Sequence, residues 1–344
     1  MTRAYNTATT QQNSGGAVSG VTAGKNAIIN GSMDIWQRGT SSNGTAYNYT
    51  ADRWINFREA FAAGATFSRS TDVPSGFTYS LRVQRDSGNT NSTWSNIIRQ
   101  AAENTDSLRF AGQTVTLSFW AKAGANYSAA SSVLISRVYM GEGTDQAANN
   151  MTGWTTVTNL GQNNTLTTSW QRFTQTISVA AAKKQIGVEF SFLPTGTAGA
   201  DDSYYITGVQ LELGSVATPF SRAGGTIQGE LAACQRYYWR SSQNDVYSHH
   251  GLGIIKGGTS AMIDIKLPVT MRVRPTSIDF STVGAYDSST IFAATSIGFQ
   301  NNQSSADTTC LDVVFSGGGG TQFRPAFLIN NNSTSGYIGL NAEL

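Results

Sequence analysis

The chain has 344 residues, only 13% of them charged, and its 23 Lys and Arg nearly balance 21 Asp and Glu, so a net charge of +2 gives no field that would steer nucleic acid. With 36 Gly, 6 Pro and 39% hydrophobic residues the composition suits many short strands joined by tight turns and excludes disorder. Two Cys cannot build a disulfide framework, and no stretch approaches the ~18 apolar residues of a membrane span, so no membrane insertion is expected.

In chain order, residues 1–24 are polar and Gly-rich, lack the apolar core of a secretory leader, and read as an arm (1–25) that docks the chain on a partner. From Asn26 to about Phe220 the pattern has period two. Val115, Leu117 and Phe119 fall on one side of "TVTLSFWAKAG". Leu134, Val138 and Met140 oppose Arg137 and Tyr139 in "SSVLISRVYMG", and Ile186, Val188, Phe190 and Phe192 oppose Glu189 in "KQIGVEFSFL". Strands at this spacing without intervening helices predict an antiparallel β-sandwich over 26–222. Trp120 and Trp170, inside strong strands, read as core, and Asp52 with Arg53 reads as a local charge pair beside Trp54.

"GTIQGELAACQRYYWRS" breaks the pattern, because Ile227, Leu231, Cys234 and Tyr238 recur at helical spacing. The spacing predicts a connecting helix from Thr226 to Arg240 within residues 223–244, with Thr226 as N-cap and Gly229 where a capping-box Glu or Gln would serve best. The stripe is too short for a free-standing coiled coil, so the helix either docks on its own sandwich or meets two further copies around an axis. Alternation resumes in "AMIDIKLPV", "CLDVVF", "FRPAFLIN" and "YIGLNAEL", predicting a second, smaller β-sandwich over 245–344. The fold class is therefore all-β.

Sequence motifs for catalysis are missing. There is no phosphate-binding G-x-x-x-x-G-K-[ST] loop, no G-x-S-x-G elbow and no H-E-x-x-H zinc motif. The only histidines, His249 and His250, are adjacent and on opposite sides of a strand, a poor chelate. Cys234 and Cys310 read as small buried groups. A polysaccharide-cutting enzyme needs two carboxylates about 5–9.5 Å apart, and the acidic residues here are scattered along the chain.

"NAIINGSMDIWQRGTS", "YTADRW", "LELGSVATPF" and "ELAACQRYY", in that order, resemble the recurring pattern of tailed-bacteriophage virion proteins, tail fibres in particular, with a carbohydrate-binding-module-like jelly roll. "YSLRVQ", "WSNIIRQ", "LRFAGQTVTLSFWAKAG" and "TTSWQRFTQTISV" are similar to successive strands of such modules, and the resemblance covers about residues 26–240. It implies a homotrimer with the helix stripe (Ile227, Leu231, Cys234, Tyr238) near the threefold axis, attachment to other virion proteins through residues 1–24, and a place in the virion after assembly in the host cytoplasm. Related modules often carry paired acidic residues near the last strand that help hold a structural calcium. Here Thr207 and Gly208 stand there, with Asp34, Asp201 and Asp202 as other possible donors, so no cofactor is expected although calcium stays open.

A glycan site wants exposed rings beside amide, carboxylate or guanidinium partners. Trp94, Arg137, Tyr139, Trp154 and Glu189 are the expected members, the alternative being that the two Trp cap the core. A distal tip carrying Tyr247, Phe292 and Phe323 is the other candidate for recognition. The reading is a non-enzymatic tail fibre or receptor-binding appendage that meets host surface glycan. A capsid-bound fibre or decoration protein is the alternative, and a depolymerase a lesser one.

Overall fold

Along "TVTLSFW", Val115, Leu117 and Phe119 point into a shared core while Trp120 points out, and this parity fixes both faces of the N-terminal sheets. The computed structural model describes residues 24–242 and 245–344; the docking role expected of residues 1–24 falls almost wholly outside them. Strands β1 (Ser41–Ser42), β2 (Asn48–Tyr49), β3 (Ile55–Arg58), β4 (Ala65–Ser70), β5 (Ser80–Arg85), β6 (Asn96–Ala101), β7 (Thr114–Ala123), β8 (Val133–Gly141), β9 (Thr158–Thr165), β10 (Gln171–Ser178), β11 (Gln185–Phe192) and β12 (Asp202–Leu213) form two six-stranded antiparallel sheets. Their orders are β1-β4-β5-β12-β7-β10 and β2-β3-β6-β11-β8-β9. Phe67, Val83, Leu117, Phe119 and Ile206 of the first meet Ile98, Val138, Val188 and Phe190 of the second, each fully buried. Burial of such side chains, at about 1.5–3 kcal/mol apiece, holds the sandwich closed.

Two expectations fail on parity and partner choice. Trp120 and Trp170 are half-buried on the outer face of the first sheet, where Trp170 Nε1 donates to Asp72 Oδ1 at 3.0 Å and Lys122 Nζ sits 5.9 Å from the Trp170 ring. Asp52 and Arg53 do not pair with each other. Asp52 accepts from the Gln37 backbone N–H at 2.9 Å, and Arg53 reaches across the chain to Glu343 while its guanidinium lies 3.4 Å from the Tyr237 ring centroid.

The helix spans Ile227–Gln235. Thr226 caps it, its Oγ1 accepting from Gly229 N at 3.1 Å. Glu230, one position beyond Gly229, bonds instead to the Gly224 N–H at 2.7 Å and to the Asn30 N–H. The helix ends five residues short of Arg240 because Tyr238–Ser242 becomes β13 and pairs with β21 (Tyr337–Asn341). The stripe is divided: Cys234 and Tyr238 are buried within the chain, Tyr238 on a strand, while Leu231 is half-buried and Ile227 exposed.

β21 also pairs with β16 (Ser277–Ser281), making a three-stranded sheet. β14 (His249–Gly257), β15 (Ser260–Lys266), β17 (Val283–Tyr286), β18 (Ile291–Phe299), β19 (Thr308–Phe315) and β20 (Pro325–Asn330) close into a barrel of order β14-β15-β19-β18-β17-β20. The all-β antiparallel architecture is as expected, but the C-terminal unit is a barrel where a second sandwich was expected. β14 pairs with both β15 and β20, which leaves no open edge.

The phage-like motifs meet at the junction of the two halves. Asn30 Nδ2 donates to the carbonyls of Ile35 and Asp52 at 2.9 and 3.1 Å, and Trp54 Nε1 donates to the Asn30 carbonyl at 3.1 Å. Arg236 holds Glu103 by two bonds of 2.8 and 2.9 Å, and Gln37 Nε2 donates to the Tyr238 carbonyl at 2.7 Å.

Candidate functional site

In the second sheet the register sets Glu189 of β11 opposite Arg99 of β6 on one side and Arg137 of β8 on the other. Their neighbours Ile98, Val138 and Val188 face the core, so the three charged side chains stand together on the outer face. Arg99 Nε donates to Glu189 Oε2 at 2.6 Å, and Arg137 Nη1 donates to Glu189 Oε1 at 2.6 Å and to Ser191 Oγ at 2.8 Å. With both oxygens committed to guanidinium groups, buried Glu189 acts as a bracket that fixes two arginines.

Beside this ladder a cleft of about 300 Å³ opens between the turn Glu59–Phe61 and the turn Ala148–Gly153. Phe57, Ile97 and Arg99 line its inner part, with Tyr47, Glu59 and Phe61 from one side of the chain and Asn149, Asn150 and Thr152 from the other. Tyr47 and Phe61 are 42% and 44% exposed, so their rings are open to a ligand. Each lies against a neighbour edge-on: Tyr47 to Phe57 at 4.9 Å and 73°, Tyr47 to Phe61 at 4.9 Å and 89°. Ala60 and Phe61 both adopt left-handed backbone, with φ of 54° and 51°, a geometry that costs about 1–2 kcal/mol per non-glycine residue. This turn presents the Phe61 ring, and such strain gathers at binding sites. Arg99 is aimed by three contacts: Glu189, the Asn149 carbonyl at 3.2 Å, and the Phe57 ring 4.9 Å below its guanidinium. Ser95 N–H donates to Glu59 Oε2 at 2.8 Å.

Of the expected site residues, Arg137, Tyr139, Trp154 and Glu189 do share the outer face of this sheet, but not as expected. Trp154 and Tyr139 are both 4% exposed and belong, with Met151, Phe57 and Ile97, to a small apolar cluster that roofs the sheet. Trp154 Nε1 donates to the Ala147 carbonyl at 3.0 Å, and a Cβ on Gly187 would come within 3.0 Å of its ring, so the indole is set into the sheet and offers no platform. Burial, with Glu189 adding to it, pushes the Tyr139 phenol up. Trp94 is exposed beside Ser95 but is absent from the cleft lining. Sequence reasoning missed Tyr47, Glu59, Phe61, Arg99, Asn149 and Asn150. The one available signal was Arg99, a charge inside the apolar run "NIIRQA".

The possible calcium donors are taken. Asp34 receives Arg222 at 2.7 Å, Asp201 receives Arg82 at 2.7 Å, and fully buried Asp202 receives Arg85 at 3.2 Å and Ser128 N–H at 2.8 Å. Thr207 Oγ1 donates to the carbonyls of Ser32 and Tyr79, and Gly208 forms a bulge in β12. These residues do not fit a calcium ion, and among the described residues no three His, Cys, Asp or Glu group as a metal site.

The sheets thus define an antiparallel β-sandwich with an aromatic-and-amide cleft on one outer face. No family model matches the chain, and no curated protein matches it significantly. Among solved structures, the enzymatically active domain of bacteriophage CBA120 tailspike protein 4 is similar at 16% identity over 55% of this chain and 21% of that one, with a TM-score of 0.35. A CBM4 module is similar at 20% identity over 54% of this chain and 99% of its own (TM-score 0.34). TmCBM61, in complex with β-1,4-galactotriose, is similar at 12% identity over 55% of this chain and 99% of its own (TM-score 0.32). The chain spans about a fifth of the tailspike chain, and the match takes in nearly all of either module.

Proposed function

We propose that the chain is a non-catalytic structural protein of a tailed-bacteriophage virion, a tail fibre or related receptor-binding appendage that contacts host surface glycan in the cleft of its second sheet. The observation that carries the glycan reading is the pair of exposed rings, Tyr47 and Phe61, sharing a cleft with Asn149, Asn150 and a pinned Arg99. Sugars present weakly apolar C–H faces and hydroxyls, and rings with amide and guanidinium donors match both. The virion part rests on the phage-like sequence motifs, and in this reading residues 1–24 attach the chain to the particle and three copies assemble with the helix near the threefold axis. Binding without cleavage is supported by where the carboxyls of raised proton affinity lie. Asp52, Asp106 and Glu230 are pushed up by burial, and none of them lines the cleft, whereas a glycosidase aims such an acid at its substrate.

The test is a glycan array and a host-adsorption assay with Tyr47→Ala combined with Phe61→Ala. At about 0.5–1.5 kcal/mol per aromatic contact, binding drops about tenfold to a hundredfold. A folded double variant with an unchanged array profile refutes the cleft. New reducing ends after incubation with a bound polysaccharide refute the non-catalytic reading, and antibody labelling of particles shows whether the chain sits on the tail. A purely structural role as a capsid-bound fibre or decoration protein draws on the roofing of the same sheet by Trp154 and Tyr139, and array silence of the wild-type chain would favour it.

A further inference from the structure

The C-terminal barrel has a concavity of its own, far from the sandwich in the chain and lined by none of its residues. Along β20, Ala326 and Leu328 face the barrel core, so Ile329 faces outward. The same parity turns Tyr286 of β17, Ile291 of β18 and His249 of β14 to the outer wall, since Ala285 and Phe292 belong to the core and His250 is buried. β14, β20, β17 and β18 are consecutive in the closed barrel, so these side chains form one patch across four strands. With Tyr247 from the preceding loop they line a cavity of about 280 Å³.

Its chemistry is mixed. Ile329 is 2% exposed beneath the rings, and Gly284 at the same register carries no side chain there; a Cβ on it would meet Ile291 Cγ2 at 3.0 Å. Tyr247 is half exposed, and its hydroxyl donates to Asn332 Oδ1 at 3.1 Å, which steadies one wall. His249 leans on Phe327 with centroids 4.6 Å apart. Among the described residues neither the His249 ring nitrogens nor the Tyr286 hydroxyl has a protein partner, so donors and acceptors stand at the edge of an apolar floor.

We propose that this groove is a second carbohydrate site, sized for one pyranose ring whose C–H face rests on Ile291 and the aromatic walls while His249 and Tyr286 bond its hydroxyls. The volume lies just below the range of about 300–1,000 Å³ that holds drug-sized ligands, which suits a single ring better than a chain. Naming the ligand a sugar rests on the glycan-contacting reading above; the groove's existence does not.

The chain contains only two histidines, and they make the test clean. His249 lines the groove, while His250 is buried with Nδ1 2.9 Å from Ser241 Oγ and Nε2 2.7 Å from Asn330 Oδ1. Full-length protein with ring-labelled histidine gives one reporter and one internal control by NMR. The methyl glycosides of glucose, galactose, mannose, rhamnose and N-acetylglucosamine are titrated separately to ~50 mM, above the millimolar affinity expected of so small a ligand. The expected result is that at least one moves the His249 signal saturably and leaves His250 in place. Tyr286→Ala should then weaken that response about tenfold, whereas Tyr47→Ala with Phe61→Ala leaves it intact. A His249 signal that no glycoside moves overturns the second site, as does one that shifts with protein concentration instead, the mark of another protein copy on this wall. If array binding is lost in the cleft variant while His249 stays silent, only the second site falls; if His249 responds while the cleft variant binds normally, the cleft falls.

Discussion

Glu343→Gln should destabilise the whole chain far more than a surface charge change does. Glu343 receives Arg53, which is 2% exposed at its side chain, and Arg38 at 3.2 Å. Without the carboxylate, the Arg53 guanidinium keeps only the Ala101 carbonyl at 2.8 Å and the Tyr237 ring, and its Nε is already unpartnered. Removing one partner of a buried ion pair costs about 3–5 kcal/mol, because the remaining charge stays buried. At about 2–4 °C per kcal/mol for a unit of this size, Tm falls by roughly 10 °C in a calorimetric scan. Glu343→Leu with Arg53→Met should recover part of that loss, since it removes the fully buried charge and leaves only Arg38, 13% exposed at its side chain, without its carboxylate. A single variant within about 1 kcal/mol of wild type, or a double variant as weak as the single, refutes the reasoning.

The Asp52 carboxyl is pushed up from 3.8 to about 6, first by burial and against the pull of Arg38 and Gln37. The folded state therefore holds this proton more tightly than the unfolded chain does. Its contribution is greatest below about pH 4 and is lost as pH rises through about 6, a swing of about 3 kcal/mol that Asp52→Asn removes from urea titrations across that window. Gly208→Ala forces a side chain onto a residue at φ +63°, with its Cβ 2.6 Å from Phe77 Cζ, and should cost about 1–3 kcal/mol by chemical denaturation. Thr226→Ala removes the bond to the Gly229 N–H and should cost about 1 kcal/mol, read from the same curves.

What the sequence could and could not reveal follows from the range of each signal. Period-two alternation is local, so the core faces of β7, β8 and β11 were readable from Val115, Leu134 and Val188 alone. Parity also placed Arg137 and Glu189 on one face, but not what else covers it. Trp154 and Tyr47 are both aromatic residues near polar loops, and only the fold makes one a roof and the other a rim. Barrel closure depends on β20 returning to β14, a pairing that no local pattern encodes. Tyr238 continues the helix stripe in sequence, yet it lies on a strand opposite Asn341, about a hundred residues on.

The pairing of β13 with β21 has a mechanical consequence. The chain enters the barrel from β13, returns to this ladder as β16 between β15 and β17, and ends in β21, so the first and last passages form two adjacent cords between sandwich and barrel. One cord is anchored by Arg236 on Glu103, the other by Glu343 on Arg38 and Arg53. Tension applied at the barrel would divide between both anchorages.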